Sequence, residues 1–143
     1  MSVKQISVFL ENRPGALLGM TRVLAEHGVD MRAFSLAESS DFGIARIIVD
    51  DVAKTTSVLR EAGYVNNVTP VIAVAVPNTP GGLNRALDVL CEAGVNVEYM
   101  YAFVGGDSDG AYMIFRVADD EKAAGALRAA GIRLAEQEEL EKL

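Results

Sequence analysis

Alternation of apolar and polar positions marks the start of the chain. Residues 3–10 are predicted to form a strand, because Ile6, Val8 and Leu10 alternate with Gln5, Ser7 and Phe9 at the period of a half-buried β-strand. Residues 15–27 instead place apolar side chains three and four positions apart, as in an amphipathic helix, and Gly28 follows as a stop signal. The residues predicted to form the inner face of this helix are Leu17, Met20, Val23 and Leu24. The pattern therefore predicts a strand followed by a helix.

The rest of the first half extends this order. Three more strands are predicted at residues 29–38, 44–49 and 65–69. Asp50 or Asp51 is expected to cap a second helix, which Gly63 ends. The resulting order is βαββαβ, and two crossover helices on one side of an antiparallel sheet give the ferredoxin-like arrangement. An α+β fold is therefore expected.

The second half repeats the construction. Residues 12–30 and 78–96 are identical at 9 of 19 positions at a constant offset of 66, and such self-similarity indicates a duplicated module. Strands are predicted at 71–76, 95–104, 111–117 and 132–135, and helices at 81–93 and from Asp119 or Asp120 to Gly131. A flexible loop is expected over 105–110, and a last helical turn or a frayed end over 136–141. We predict two tandem modules, residues 1–69 and 70–143.

Several strands are apolar on both faces. In the third strand Ala45, Ile47 and Val49 alternate with Ile44, Arg46 and Ile48. One face of a two-layer module should meet water, so its strands should alternate between apolar and polar residues. The second face is therefore expected to be covered, by the other module or by another copy of the chain. A homodimer is predicted on this ground.

Composition narrows the function classes. The chain has 143 residues, a formal net charge of −7 and a pI of about 4.7. Nucleic acids and anionic membranes need clustered Lys and Arg, so neither is an expected partner. The apolar stretches are shorter than a signal peptide or a transmembrane helix requires, and a single cysteine excludes an internal disulfide. A cytoplasmic location is predicted.

Catalytic and metal-binding patterns are missing from the sequence. No His, Cys and carboxylate cluster has metal-ligand spacing, no nucleophile has an evident base, and no phosphate loop of the Gly-Lys-Ser/Thr type occurs. Cys91 is interpreted as a small core residue of its helix, and His27 as a surface or cap residue at a helix end. We therefore expect a non-enzyme that needs neither cofactor nor metal.

A Pro-Gly turn follows the first strand of each module. In the first module, Asn12 to Leu17 leads directly into a helix, and the backbone N–H groups of Gly15, Ala16 and Leu17 are expected to be free. A helix N-terminus of this kind suits an anion such as the carboxylate of a small molecule. The alternative is a tight strand-to-helix turn with no ligand.

The repeated βαββαβ order, with Asn-x-Pro-Gly-x-Leu after the first strand and Gly-Val-Asp/Asn at the second, resembles the ACT domain family. The resemblance implies regulatory modules that bind amino acids at the interface between paired modules. There the Pro-Gly loop of one module faces the second strand of its neighbour. Carried over by position, the candidate ligand-binding residues are Asn12, Arg13, Pro14, Gly15, Ala16, Leu17 and Asp30 in the first module, and Asn78, Pro80, Gly81, Gly82, Leu83 and Asn96 in the second.

An α-amino acid would bring two charges to such a site. The helix N-terminus would hold the carboxylate, and Asp30 or the side-chain oxygen of Asn12 would hold the ammonium. Apolar residues of the second strands are candidates for a side-chain pocket or for interface core; they are Phe34, Leu36, Tyr99, Met100 and Tyr101.

Two functions remain open from the sequence. The first is a non-catalytic amino-acid sensor that works with a metabolic enzyme or regulator. The second is an oligomerisation or docking module, or a regulatory subunit of an amino-acid biosynthetic enzyme, that has no ligand of its own. A small enzyme on a ferredoxin-like scaffold is a third interpretation, which the missing catalytic pattern disfavours.

Overall fold

The computed structural model describes residues 2–103 and 110–142. The chain divides into two compact units, Lys4–Thr69 and Pro70–Leu143, and the second unit also contains Met1–Val3. Each unit has the order βαββαβ, and a short helix follows at the end of the chain. The predicted α+β fold of two tandem ferredoxin-like modules is confirmed.

In the first unit an antiparallel sheet has the strand order β2-β3-β1-β4. The elements are β1 (Val3–Glu11), α1 (Ala16–Glu26), β2 (Met31–Glu38), β3 (Phe42–Val49), α2 (Val52–Glu61) and β4 (Asn66–Pro77), of which β4 continues into the second unit. In the register, Leu10 and Leu36 lie beside Gly43 and Ala45 of β3. The ends of β1 and β2 therefore lie at the same end of the sheet, on either side of β3 and next to the loop that begins at Asn12.

One face of this sheet packs on both helices. The buried core consists of Ile6, Val8, Leu10, Met20, Leu24, Ala45, Ile47, Val49 and Leu59. Asp51 caps α2 by accepting a hydrogen bond from the backbone N–H of Lys54 at 3.0 Å. The prediction that Leu17 belongs to the inner face of α1 was wrong, since its side chain is 42% exposed. Leu17 lies in the first turn of the helix and lines a surface cavity instead.

The second unit repeats the topology with the strand order β7-β4-β6-β5. Its further elements are α3 (Gly82–Glu92), β5 (Tyr99–Ala102), β6 (Gly110–Arg116), α4 (Asp120–Ala129), β7 (Leu134–Ala135) and α5 (Gln137–Glu141). Ala86 and Leu90 of α3 pack with Phe115 and Leu127 in the core. Asp119 caps α4 by accepting from the N–H of Lys122 at 3.1 Å, as Asp51 does in the first unit.

Three predictions about the second half and its junction with the first need correction. The strands expected at 65–69 and 71–76 form one strand, because no turn intervenes and Pro70 is compatible with extended backbone. The strand expected over 95–104 is limited to Tyr99–Ala102, and residue 104 lies outside the described residues. Cys91 is exposed rather than buried, since it is one residue beyond Leu90 and about 100° further round the helix.

The loop predicted over 105–110 lies outside the described residues except for Gly110, which begins β6. At the end of the chain, the acidic stretch forms helix α5, and side-chain hydrogen bonds connect this helix to β6. Tyr112 donates a hydrogen bond to Glu139 at 2.9 Å, Arg133 donates to both side chains, and Leu140 is fully buried. Burial raises the pKa of Tyr112, whereas the hydrogen bond from Arg133 lowers the pKa of Glu139.

The sheet face turned away from the helices is covered unevenly in the first unit. Ala33 and Ile48 lie on this face and are fully buried. Phe9 and Phe42 share the face and remain exposed. An apolar surface therefore persists at the end of the sheet that carries the Pro-Gly loop.

Candidate functional site

Gly15 determines the shape of the first Pro-Gly loop. It adopts φ +86° immediately before α1, a left-handed conformation that glycine adopts without a steric penalty. Its carbonyl accepts from the N–H of Gly19 at 2.9 Å, and the N–H of Ala16 donates to Arg13 at 3.2 Å. The expectation that Ala16 offers a free N–H was therefore wrong. Within the described residues, the N–H groups of Gly15 and Leu17 have no hydrogen-bond partner.

Asn12 holds this loop against the hairpin that joins β2 and β3. Its backbone N–H donates to the carbonyl of Asp41 at 3.0 Å, and its side-chain Nδ2 donates to the carbonyl of Ser39 at 3.0 Å. Both of these hydrogen bonds go to backbone carbonyls, so the side-chain oxygen stays available as an acceptor. Asn12 therefore positions the loop, and its remaining acceptor can serve a ligand.

A partly open cavity of about 70 Å³ lies between this loop and the end of β2. It is lined by Leu10, Glu11, Asn12, Arg13, Ala16, Leu17, Leu36, Glu38 and Gly43. Leucine side chains supply apolar walls, and Glu11, Arg13 and Glu38 supply charges of both signs. Arg13 forms an exposed ion pair with Glu11. The cavity therefore combines an apolar lining with groups that fit a small zwitterion.

Four of the predicted first-module residues line this cavity: Asn12, Arg13, Ala16 and Leu17. Pro14 and Gly15 form the turn that precedes the helix. Sequence reasoning missed Glu11 and Glu38 altogether. The hairpin at 39–43 could have indicated Glu38, because it places the end of β2 at the end of the sheet where β1 also ends, with β3 between them. Glu11 directly precedes Asn12 in the sequence.

Asp30 lies at the other end of the first unit. Its N–H donates to Asp50 Oδ1 at 3.1 Å, and its carboxylate pairs with Arg32 at 2.8 Å. The eight residues of β2 separate it from the loop, a distance of roughly 25 Å at the usual rise of a strand. Asp30 and the Asn12 loop of one unit therefore cannot hold the same small molecule.

The second Pro-Gly loop has nearly the same backbone conformation as the first, but it is packed more closely, at Gly82. Gly81 has φ +85°, its carbonyl accepts from Arg85 at 3.1 Å, and Gly82 donates to Thr79 at 3.1 Å. A Cβ on Gly82 would lie only 2.3 Å from the carbonyl oxygen of Pro77. The corresponding residue of the first loop is Ala16, so the two loops are not equivalent.

The other residues predicted for the second module also fall into two groups, one at the Pro-Gly loop and one far from it. Asn78 and Pro80 belong to the loop, and Leu83 packs partly against the core. Asn96 precedes β5, which pairs with the end of β6 remote from Pro77. The segment that corresponds to the β2–β3 hairpin includes residues 104–109, outside the described residues.

Metal binding and membrane crossing receive no support from the described residues. Within 2–103 and 110–142, no three His, Cys, Asp or Glu side chains are grouped closely enough to share a metal ion. No helix in these ranges is long and apolar enough to cross a membrane.

The fold and the two Pro-Gly loops define a tandem pair of ferredoxin-like modules, and in each module the loop leads directly into the N-terminus of a helix. The family model described as ACT domain pair matches residues 1–143, and the chain belongs to this family.

Among solved structures, protein BT0572 from Bacteroides thetaiotaomicron is 36% identical, with a TM-score of 0.93 over 100% of this chain and 98% of that one. The regulatory subunits of aspartate kinase from Thermus thermophilus, in a ligand-free form, and from Thermus flavus are 18% and 19% identical. Their TM-scores are 0.67 and 0.65 over 90% of each chain. No curated protein matches the chain.

Proposed function

We propose that the protein is a non-catalytic regulator that binds a free amino acid at the first Pro-Gly loop. The modules are residues 1–69 and 70–143, and the active form is a homodimer that acts on a metabolic enzyme or another regulator. Membership of the ACT domain pair family supports a regulatory role. The observation that carries the binding proposal is the cavity beside Asn12, which is lined by charges of both signs and by Leu17, whose backbone N–H has no partner within the described residues.

The carboxylate of the ligand belongs at the start of α1. The proposed donors are Arg13 and the N–H of Leu17, which belong to residues that line the cavity, together with the N–H of Gly15 in the adjoining turn. The helix dipole adds about 0.3–1 kcal/mol for an anion in the first turn. Arg13 would exchange its exposed partner Glu11 for the ligand carboxylate, at little cost because exposed ion pairs contribute little.

The ammonium and the side chain of the ligand face the β2 side of the cavity. Glu38 and the side-chain oxygen of Asn12 are the acceptors for the ammonium. Leu17 and Leu36 are the apolar walls for the ligand side chain. A cavity of this size and openness encloses a ligand only in part. We therefore propose that the first module of a second copy of the chain completes the site and supplies Asp30.

A thermal-shift screen against the twenty amino acids, followed by titration calorimetry, tests the binding proposal. The ligand should stabilise the fold by about 2.7 kcal/mol at a hundredfold excess over its dissociation constant. Arg13→Thr, which copies Thr79 of the second loop, and Glu38→Gln should each weaken binding roughly ten- to a hundredfold. Glu26→Gln, an exposed change at the far end of α1, is the matched control. Equal affinities for all of these proteins would refute the site.

The second candidate function is docking without a ligand. Phe34 and Leu36 of β2 are both more than half exposed, as expected of a surface that binds another protein. If no amino acid produces a thermal shift or a heat of binding, while Phe34→Ser abolishes self-association, the docking interpretation replaces the sensor.

A further inference from the structure

Helix α5 lies over one end of the sheet face that is turned away from α3 and α4. Tyr112 belongs to this face, because its partner in the register, Ala75, alternates with core residues of β4. The guanidinium of Arg133 lies 5.9 Å from the centre of the Tyr112 ring. Both side chains donate hydrogen bonds to Glu139 of α5, and the adjacent Leu140 is fully buried. In the second module a short helix therefore covers the outer face beside the Pro-Gly loop.

The corresponding place in the first module can be located from the backbone. The N–H of Ala75 donates to the carbonyl of Arg133 at 2.8 Å. In the first module, the N–H of Phe9 donates to the carbonyl of Val65 at 3.0 Å. Phe9 therefore corresponds to Ala75, and Val65 corresponds to Arg133.

Strand register identifies two further corresponding positions. Ile44 takes the place of Tyr112, and Phe42 takes the place of Gly110. At all four positions the residue of the first module is the more apolar of the two. Three of them are exposed to solvent, namely Phe9 by 40%, Phe42 by 53% and Val65 by 68%. We call the set Phe9, Phe42, Ile44 and Val65 the outer patch.

The first module has no helix of its own for the outer patch. After Arg133 the second module continues with a strand of two residues and then α5, whereas after Val65 strand β4 runs on for 12 residues. Helices α1 and α2 pack on the opposite face of the sheet. Within the described residues of the first unit, no element therefore takes the position that α5 has in the second. Exposed apolar patches of this kind mark sites of protein interaction.

We propose that the outer patch binds an amphipathic helix of a partner protein, in the position that α5 takes on the second module. The duplication supports the shape of this site, because the same strand pairing carries a helix in the second module. Val65 and Ile44 cannot donate the hydrogen bonds that hold Glu139, so the partner helix presents aliphatic side chains there. For the same reason, α5 of a second copy does not fit the outer patch.

Glu11 connects the outer patch with the candidate ligand site, and this part rests on the proposed function. Glu11 pairs with Phe42 in the register, and its carboxylate forms the ion pair with Arg13. A ligand carboxylate that binds Arg13 releases Glu11 beside the patch. A Lys or Arg of the partner helix then pairs with Glu11. Ligand binding should therefore strengthen docking roughly two- to fivefold, as expected for an exposed ion pair.

A designed peptide tests the outer patch directly. The probe is a fluorescent stapled helix of about 14 residues, with leucines at i, i+3, i+4 and i+7 and one lysine beyond this stripe. A control peptide carries serines in place of the leucines. In fluorescence anisotropy the leucine peptide should bind saturably, with a dissociation constant below about 0.1 mM, and the serine peptide should not bind.

Substitutions that copy the second module locate the binding. Phe9→Ala and Val65→Arg should each weaken binding of the leucine peptide roughly tenfold, because each removes apolar contact area from the patch. Val68→Arg is the matched control, since Val68 is also exposed but lies on the other face from Thr69, which shares the outer face with Ser7. This control should change the affinity by less than about twofold. Melting curves identify the variants that remain folded.

Three results would overturn the inference. The first is no saturable binding of the leucine peptide. The second is unchanged affinity in folded Phe9→Ala and Val65→Arg proteins. The third is a change of oligomeric state in sedimentation equilibrium on replacement of Val65, which would make a second copy the occupant.

The amino acid found in the thermal-shift screen separates this inference from the proposed function. At saturation it should tighten binding of the lysine-containing peptide roughly two- to fivefold and leave a glutamine version unchanged. Equal effects on the two peptides would refute the role of Glu11. If no amino acid binds while the peptide still distinguishes Val65→Arg from Val68→Arg, the docking surface stands and the proposed function is removed.

Discussion

Replacement of Gly82 by alanine tests how tightly the second Pro-Gly loop is packed. A Cβ at this position would lie 2.3 Å from the carbonyl oxygen, 3.3 Å from the carbonyl carbon and 3.1 Å from the Cγ of Pro77. Backbone atoms cannot rotate away as the end of a side chain can, so the Pro77 peptide must move by about 1 Å. Forced shifts of this kind cost about 1–3 kcal/mol.

A smaller gain opposes this cost. Where the native conformation accepts a side chain, Gly→Ala stabilises a protein by about 0.4–1 kcal/mol, because it reduces the conformational entropy of the unfolded chain. We therefore expect Gly82→Ala to destabilise the protein by about 1–2 kcal/mol, and to lower the melting temperature by roughly 3–8 °C.

Urea denaturation followed by circular dichroism, together with calorimetry, measures this difference. The matched control is Gly125→Ala, a glycine in α4 of the same unit whose added Cβ would meet nothing within 4 Å. This control should stabilise the protein by about 0.5–1 kcal/mol. If Gly82→Ala is as stable as the parent or more stable, the close approach of Pro77 is refuted.

Two further predictions concern other parts of the fold. Asp51→Ala and Asp119→Ala should each lower the free energy of unfolding by about 1 kcal/mol in urea denaturation, because each removes an N-cap hydrogen bond. If only one of the two substitutions destabilises the protein, the two caps are not equivalent. Arg133 lowers the pKa of Glu139 from its ordinary value of 4.5, so the pair stabilises the fold above that value and the contribution is lost as the pH falls through the folded pKa. Glu139→Gln should therefore destabilise the fold by under about 1 kcal/mol at pH 7, and by progressively less as the pH falls below 4.5. A destabilisation that does not change with pH would refute the ionic contribution.

Local patterns in the sequence were sufficient for the architecture. The 66-residue repeat, the helical and strand periods, and the glycines that end helices predicted two βαββαβ modules, which the structure confirms. Asp51 and Asp119 were among the predicted caps, and each accepts the expected backbone hydrogen bond. The helical and strand periods and the helix caps depend on residues only a few positions apart, so their physical basis is present in the linear chain.

Tertiary structure decided which groups meet at the candidate site. Strand register placed Glu38 beside the Pro-Gly loop and Asp30 at the far end of the unit, although Asp30 was predicted and Glu38 was not. Likewise, only packing shows that Leu17 lines a cavity and that the N–H of Ala16 is already used. Period and turn chemistry are local, but the pairing of strands distant in sequence is a long-range choice, and that choice determines which side chains share a cavity.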